Sequence, residues 1–343
     1  MSLNQIHLRP PYLVFVANEH RPSYAKTGLG LVHWRREFCA GQLRLSDDAI
    51  DLGLPDMDIA AARAAGVNSL LVGTAQIGGA IDPRWQGIFE TALDAGMDIV
   101  AGLHRKLASI ASLKERAEAN HTKLVDVRTP PPELPVGTGE KRTGRRLLTV
   151  GTDCALGKKY TALYLERALK HQGLDATFRA SGQTGIMIAG EGIPIDCVVA
   201  DFISGAAECL SPANSPSHWD VIEGQGSIFH PGYAAVTHGL LLGSQPDAFV
   251  VCHAAGRKRI SGWDGFPLPS IGEVIKRTIS IGAQVNQDIR CVGLSVNCSA
   301  LAEADRRPYL DALEDRYGLP ATDPVAEGID GPIRLISGLS LAC

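Results

Sequence analysis

The sequence predicts an α/β protein of two doubly wound, mostly parallel domains, the second of them built on a P-loop. Three observations predict it. Short apolar runs alternate with segments of helical period along most of the chain, the pattern of a parallel sheet covered on both faces. A stretch rich in proline and glycine, residues 129–146 (TPPPELPVGTGEKRTGRR), divides the chain. Beyond it, residues 147–159 (LLTVGTDCALGKK) read as strand, glycine-bounded loop and helix start. At 343 residues and 45% hydrophobic content the chain has material for two ordinary cores.

Taken in order, YLVFVAN after Pro11 is a short apolar run bounded by turn formers, hence a buried strand. AKTGLGLVHW places Gly28 and Gly30 between Lys26 and His33, a spacing that fits residues facing a ligand and a plain glycine turn about equally. An alanine-rich helix, a strand at residues 68–72 (NSLLV) and a glycine-bearing turn at residues 73–79 (GTAQIGG) follow, then a helix at 85–95 and a strand at 98–102. His104 stands at the carboxyl end of that strand, and a helix at 113–120 and a strand at 123–127 complete a first domain, residues 1–128. Residues 129–146 have almost no apolar side chains to bury and read as a linker. Residues 147–343 form the second domain, whose P-loop helix repeats Ala162, Leu165 and Leu169 on one face. Strands follow at 176–180, 220–223, 248–252 and 291–296, an apolar run joins Asp201, and helices lie at 233–242, 272–281 and 305–317.

The loop itself is where chemistry is expected. Backbone N–H groups converge in such a turn, the helix start adds its unpaired donors and positive dipole end, and a lysine adds a full charge. The binding run is Gly151, Thr152, Asp153, Cys154, Ala155, Leu156, Gly157, Lys158, Lys159 and Tyr160. It departs from Gly-x-x-x-x-Gly-Lys-Ser/Thr in having five residues between its glycines and Lys159 in the Ser/Thr position, which removes the hydroxyl that normally holds Mg²⁺. Cys154, with no histidine beside it in sequence, reads as a packing residue.

Residues at the carboxyl ends of neighbouring parallel strands meet in one crevice. Asp201 and Glu223 are placed there as acids, with His230 seven residues beyond Glu223. Arg179, Gln183, Arg257 and Arg259 are the candidates for holding a small acidic substrate. A net charge of −4 with 20% charged residues provides no field for nucleic acid. Eight scattered cysteines without a C-x-x-C pair fit reduced thiols, and no apolar run approaches a membrane span or a secretory signal. The expectation is a cytoplasmic homo-oligomer acting on small molecules, without a resident metal.

GTDCALGKK with the later VIEGQG resembles the P-loop class of dethiobiotin synthetase, which implies an ATP- and Mg²⁺-dependent ligase or kinase. In that reading Asp201 meets the metal and Thr161 or another hydroxyl replaces the lost ligand. A resemblance covering nearly the whole chain rests on VGTAQIGGAIDPRWQ, GLHRKL, GTDCALGKK, GQTGIMIAGEG, DFISGAAE and IEGQGSIFHPG. Together these resemble a bacterial family with a Rossmann-like N-terminal domain and a P-loop NTPase-like C-terminal domain, members of which are D-glutamate N-acetyltransferases. The resemblance implies acetyl-CoA as co-substrate, whose phosphates a P-loop can hold without a metal, and transfer of its acetyl group to the amine of an acidic amino acid. Position in the chain, rather than the resemblance, nominates Glu223 as base, with His230 as the alternative, and Arg179 or the cluster at 257–259 as the carboxylate clamp.

Overall fold

The structure, a computed structural model, describes residues 6, 8–22, 24–74 and 81–339, so most of the glycine turn at 73–79 lies outside the described residues. The chain separates into two compact units. One comprises residues up to 130 together with 182–194, and the other residues 131–181 with the chain from 195 onward.

In the first unit, β1 (Tyr12–Ala17), β2 (Cys39–Arg44), β3 (Ser69–Val72), β4 (Asp98–Ala101) and β5 (Leu124–Asp126) form one parallel sheet in the order β2-β1-β3-β4-β5. The order reverses between β1 and β3, which makes the sheet doubly wound. Every residue of β1 is buried, as expected of a strand covered on both faces. Its helices are α1 (Lys26–Arg35), α2 (Ile59–Ala64), α3 (Pro83–Asp94) and α4 (Ala111–Ala119). Helix α3 starts where Asp82 accepts a hydrogen bond from the Arg84 N–H and Pro83 presets the first turn. Its buried face lays Trp85 and Phe89 edge-on against Phe15, with ring centroids 5.3 and 5.7 Å away.

One reading of this unit needs correction, and one strand has no counterpart in the sequence reading. AKTGLGLVHW is helix α1 and not a turn. Its glycines serve close packing: a Cβ on Gly28 would stand 3.0 Å from Leu52 and 3.3 Å from Val14, and the Gly28 N–H donates to the Gly73 carbonyl at 2.8 Å. Strand β2, with its buried Gly41 and Gln42, carries too few apolar residues to stand out by period.

The second unit has β6 (Arg145–Gly151), β7 (Ala176–Arg179), β8 (Trp219–Ile222), β9 (Ala248–Ala254), a separate antiparallel hairpin of β10 (Arg259–Ile260) and β11 (Trp263–Pro267), then β12 (Arg290–Asn297) and β13 (Ala321–Thr322). Its main sheet is parallel, in the order β13-β12-β9-β6-β8-β7, which puts β6 between β8 and β9 and so centres the P-loop on the sheet's carboxyl edge. Around it lie α5 (Lys158–His171), α7 (Ile203–Leu210), α8 (Ala234–Ser244), α9 (Ile271–Gly282), α10 (Glu303–Tyr317) and α11 (Asp330–Ile336), while α6 (Gln183–Ala189) falls in the segment that clusters with the first unit. Helix α9 is closed by a capping box between Ser270 and Glu273.

Residues 131–146, apolar-poor as they are, pack against this second unit. The Glu208 carboxylate accepts from the Thr138 and Gly139 N–H groups, each at 2.9 Å. The fully buried Arg146 guanidinium donates to the carbonyls of Thr143, Ser211 and Pro212. Polar satisfaction anchors the segment where apolar area does not.

The expected run into Asp201 is also corrected. Residues 195–202 form two 3₁₀ turns, Ile195–Cys197 and Ala200–Phe202. Val199 is 66% exposed, so no neighbouring layer covers the run as a strand would require.

Candidate functional site

The P-loop runs from the end of β6 to the start of α5. Gly157 takes φ +101° at the N-cap, a backbone conformation open to glycine, and no described side chain caps the helix. The first-turn N–H groups of α5, which have no intrahelical acceptors, point into the loop. Lys158 is buried and its Nζ donates to the Asp153 carbonyl at 2.8 Å. Burial pushes the ammonium's pKa below its ordinary value. Gly224 lies alongside: its N–H donates to Thr149 Oγ1 at 2.9 Å, and a Cβ there would fall 1.7 Å from the Thr149 carbonyl oxygen and 3.2 Å from Lys158 Cδ. The loop after β8 therefore lies against Lys158 only because its second residue, Gly224, has no side chain.

The floor of the loop is polar and paired. Thr161 Oγ1 bonds Ser295 Oγ at 2.7 Å and accepts a contact from Cys252 Sγ at 3.4 Å. Thr152 Oγ1 meets His253 Nδ1 at 3.0 Å. Burial, with the Arg257 cation nearby, pushes the His253 pKa down to about 4.

Asp153 holds the loop's shape. Its carboxylate is fully buried and accepts from Arg257 Nη1 at 2.9 Å, the Ser261 N–H at 2.8 Å and the Cys154 N–H at 2.6 Å, while Arg257 also donates to the Cys154 carbonyl at 2.9 Å. Arg257 is thereby a loop brace, and the hairpin of β10 and β11 is tied to the P-loop. His230 enters the same space: one ligand atom each of Asp153, Cys154 and His230 lie within 4.8 Å of one another. Cys154 thus has a histidine neighbour in space that it lacks in sequence. A cation at this point would compete with the Arg257 guanidinium for Asp153, which argues for an uncharged or anionic occupant.

Glu223 follows β8 and is buried, with Oε2 accepting from the Ser181 N–H at 3.0 Å, and Gln225 Nε2 donates to Ser181 Oγ at 3.0 Å. Arg179 turns away from a ligand role: its Nε donates to Asp220 at 2.7 Å in a buried pair that His218 joins at 3.2 Å. Arg259 is exposed and donates to the Asp264 carbonyl within its hairpin. Lys159 Nζ lies 4.9 Å from the centroid of the Tyr160 ring. Asp201 sits exposed on its 3₁₀ turn and does not end a strand of the sheet. Gln183 belongs to α6, where a Cβ on Gly102 would meet its Oε1 at 1.8 Å, so its amide packs on β4's carboxyl end within the first unit. His104 is exposed, 3.4 Å from Arg128 Nη2.

Ser181 and Ser261, which donate to Glu223 and Asp153, and Tyr233 and Trp263, whose rings pack on His230, are neighbours of the candidate residues that motif reading misses. The Ser261-Gly262 turn, with Gly262 at φ +82°, is the local signal from which the hairpin is recoverable. Nothing in sequence says that it folds onto the P-loop.

Comparison with known proteins agrees with this architecture. Residues 135–333 match the P-loop domain of DUF1611, a domain of unknown function, and residues 39–130 match the Rossmann-like DUF1611_N domain. A protein of Pseudoalteromonas sp named D-glutamate N-acetyltransferase is 43% identical over 95% of this chain and 98% of its own length. One of the same name from Tritonibacter scottomollicae is 41% identical over 97% and 99%. The crystal structure of a DUF1611 family protein from Anabaena variabilis superposes with a TM-score of 0.87 at 31% identity, covering 96% of this chain and 99% of that one. No helix among the described residues is long and apolar enough to cross a membrane. The chain therefore belongs to the DUF1611 family and carries both its Rossmann-like and its P-loop module.

Proposed function

We propose that this protein transfers the acetyl group of acetyl-CoA to the amine of D-glutamate. The observation that carries the reading is identity above 40% across nearly the full length of two proteins named for that activity. The site fits it. The N-terminus of α5, Gly157 and the buried Lys158 suit an anionic pyrophosphate, and Lys159 stands where a metal-binding hydroxyl would be. The ATP- and Mg²⁺-dependent alternative asks for Asp201 at the sheet edge and a hydroxyl such as Thr161 for the metal. Asp201 is on an exposed turn and Thr161 is engaged with Ser295 and Cys252.

Bound acetyl-CoA supplies an activated thioester carbonyl. The chain's own tasks are to hold its phosphates, take a proton from the substrate ammonium, and stabilise negative charge at the acyl oxygen. Lys158 and the loop N–H groups take the first task. Glu223, held by Ser181 beside Gly224 and Lys158, takes the second. Arg259, still exposed, suits a substrate carboxylate better than Arg179 or Arg257, whose guanidinium groups already serve Asp220 and Asp153.

The test is release of free thiol from acetyl-CoA in the presence of D- and L-amino acids. Release with D-glutamate, above L-glutamate and above a blank without amine, is expected. No release with any amine overturns the proposal.

A further inference from the structure

His230 is 1% exposed and sits on the turn that leads into α8, its backbone N–H donating to the Ser227 carbonyl at 3.0 Å. Its Nδ1 accepts a hydrogen bond from the Gly232 N–H at 3.1 Å. A ring nitrogen that accepts from an amide carries no proton, so the proton of the neutral ring is on Nε2. That Nε2 is buried and has no hydrogen-bond partner among the described residues. Tyr233 and Trp263 pack against adjoining sides of the ring, each with its centroid 4.5 Å away, the first tilted and the second edge-on, and lie 5.9 Å from one another. A buried N–H left unpaired costs about 1–3 kcal/mol, a penalty that a ligand's acceptor atom would remove.

We propose that His230 acts as a neutral hydrogen-bond donor, its Nε2–H meeting the acyl carbonyl oxygen as that atom becomes an oxyanion, and not as the base. The inference rests on the acyl-transfer reading and names one group of that site. In the step, the amine nitrogen attacks the acyl carbon, the C–N bond forms and the C–S bond breaks with its electron pair leaving on the CoA sulfur. The ammonium's first proton goes to Glu223, and the proton lost from the attacking nitrogen ends on the sulfur. His230 neither gains nor loses one.

The surroundings favour this role over proton transfer. The ring faces Asp153, Cys154 and Lys158 from the P-loop, Tyr233 from its own turn and Trp263 from the hairpin. Protonating Nδ1 would break the Gly232 bond and set a second cation near Lys158, with Asp153 already held by Arg257. Burial pushes the ring's pKa below its ordinary value, in the direction that keeps it neutral. A neutral imidazole that donates has the further merit of leaving no proton on the acyl oxygen for product collapse to remove.

The test has two arms on the full-length protein. In ¹⁵N-histidine NMR, with the His230 signals identified by their loss in His230→Gln, the ring is expected to be neutral and Nε2-protonated at about pH 6 to 8. A ring protonated on Nδ1, or on both nitrogens, overturns the assignment. In kinetics, His230→Ala is expected to lose ~100- to 1,000-fold in kcat with little change in the KM for acetyl-CoA. His230→Gln, which keeps an N–H donor, is expected to stay within about tenfold of wild type with the same pH profile. A glutamine variant that is folded and as inactive as the alanine variant overturns the donor role; should it fail to fold, the ring's protonation state decides. A wild-type protein that transfers acetyl to no amine overturns the acyl-transfer reading itself. An Nε2-protonated ring with equal losses in the two variants overturns the oxyanion role alone.

Discussion

Lys158 is the residue on which the phosphate assignment turns. Its ammonium is buried, carries a depressed pKa and has the Asp153 carbonyl as acceptor, an arrangement that gains a charge-assisted partner when an anion enters. Lys158→Ala is therefore expected to weaken CoA binding by about 1.5–3 kcal/mol, roughly 10- to 150-fold in Kd. Calorimetry on the folded variant checks it, and an unchanged affinity contradicts the assignment. His253 offers a pH signature at the same scale. Its folded pKa of about 4 lies below the ordinary 6.5, so as pH falls the unfolded chain binds a proton before the folded one does. The corresponding stability is present above about pH 6.5 and is lost progressively toward pH 4. Urea unfolding of wild type and His253→Gln across that range is expected to show the wild type losing more stability on acidification. Parallel curves would remove His253 from the acid response.

Among the elements, the loop after β8 and the hairpin of β10 and β11 shape the site. Gly224→Ala would put a methyl group 1.7 Å from the Thr149 carbonyl, in the backbone of β6 itself. Neither strand can yield cheaply, so a loss of about 1–3 kcal/mol or more is expected, seen as a lowered Tm together with weaker CoA binding. A variant with wild-type Tm would mean that the loop has slack which this geometry denies. The elements also show what could be read from the sequence. The P-loop was legible because strand, glycine turn and helix start are contiguous, and their backbone directions follow from local chemistry. The brace was not, because Arg257 reaches Asp153 across 104 residues of chain. Three adjacent cations look alike in sequence, and only the fold assigns Arg257 to the loop and leaves Arg259 exposed. Helix α1 was hidden by its glycines, which punctuate a sequence but here let a helix lie close on β1. The run into Asp201 misled in the opposite sense, since apolar composition without a covering layer makes no strand.

On the scale of the whole molecule, two doubly wound parallel sheets were predictable from alternation alone, and the doubly wound order in the first unit and the central P-loop strand in the second bear that out. What alternation cannot see is that a segment far along the chain, residues 182–194, clusters with the first unit. Its helix α6 packs there through contacts such as the hydroxyl pair of Thr27 and Thr184 at 3.0 Å, and a pairing between distant residues leaves no mark on local period. The chemistry proposed for this chain combines a P-loop with a lysine in place of its metal-binding hydroxyl and an acyl rather than a phosphoryl group in transit. Mass spectrometry of the product tests that claim most directly. The protein is incubated with acetyl-CoA carrying a deuterated acetyl group, D-glutamate and excess EDTA. The account predicts N-acetyl-D-glutamate bearing the deuterated acetyl group, formed at the same rate without the chelator. A product that appears only when ATP and magnesium are supplied, with ADP released in step, would contradict it.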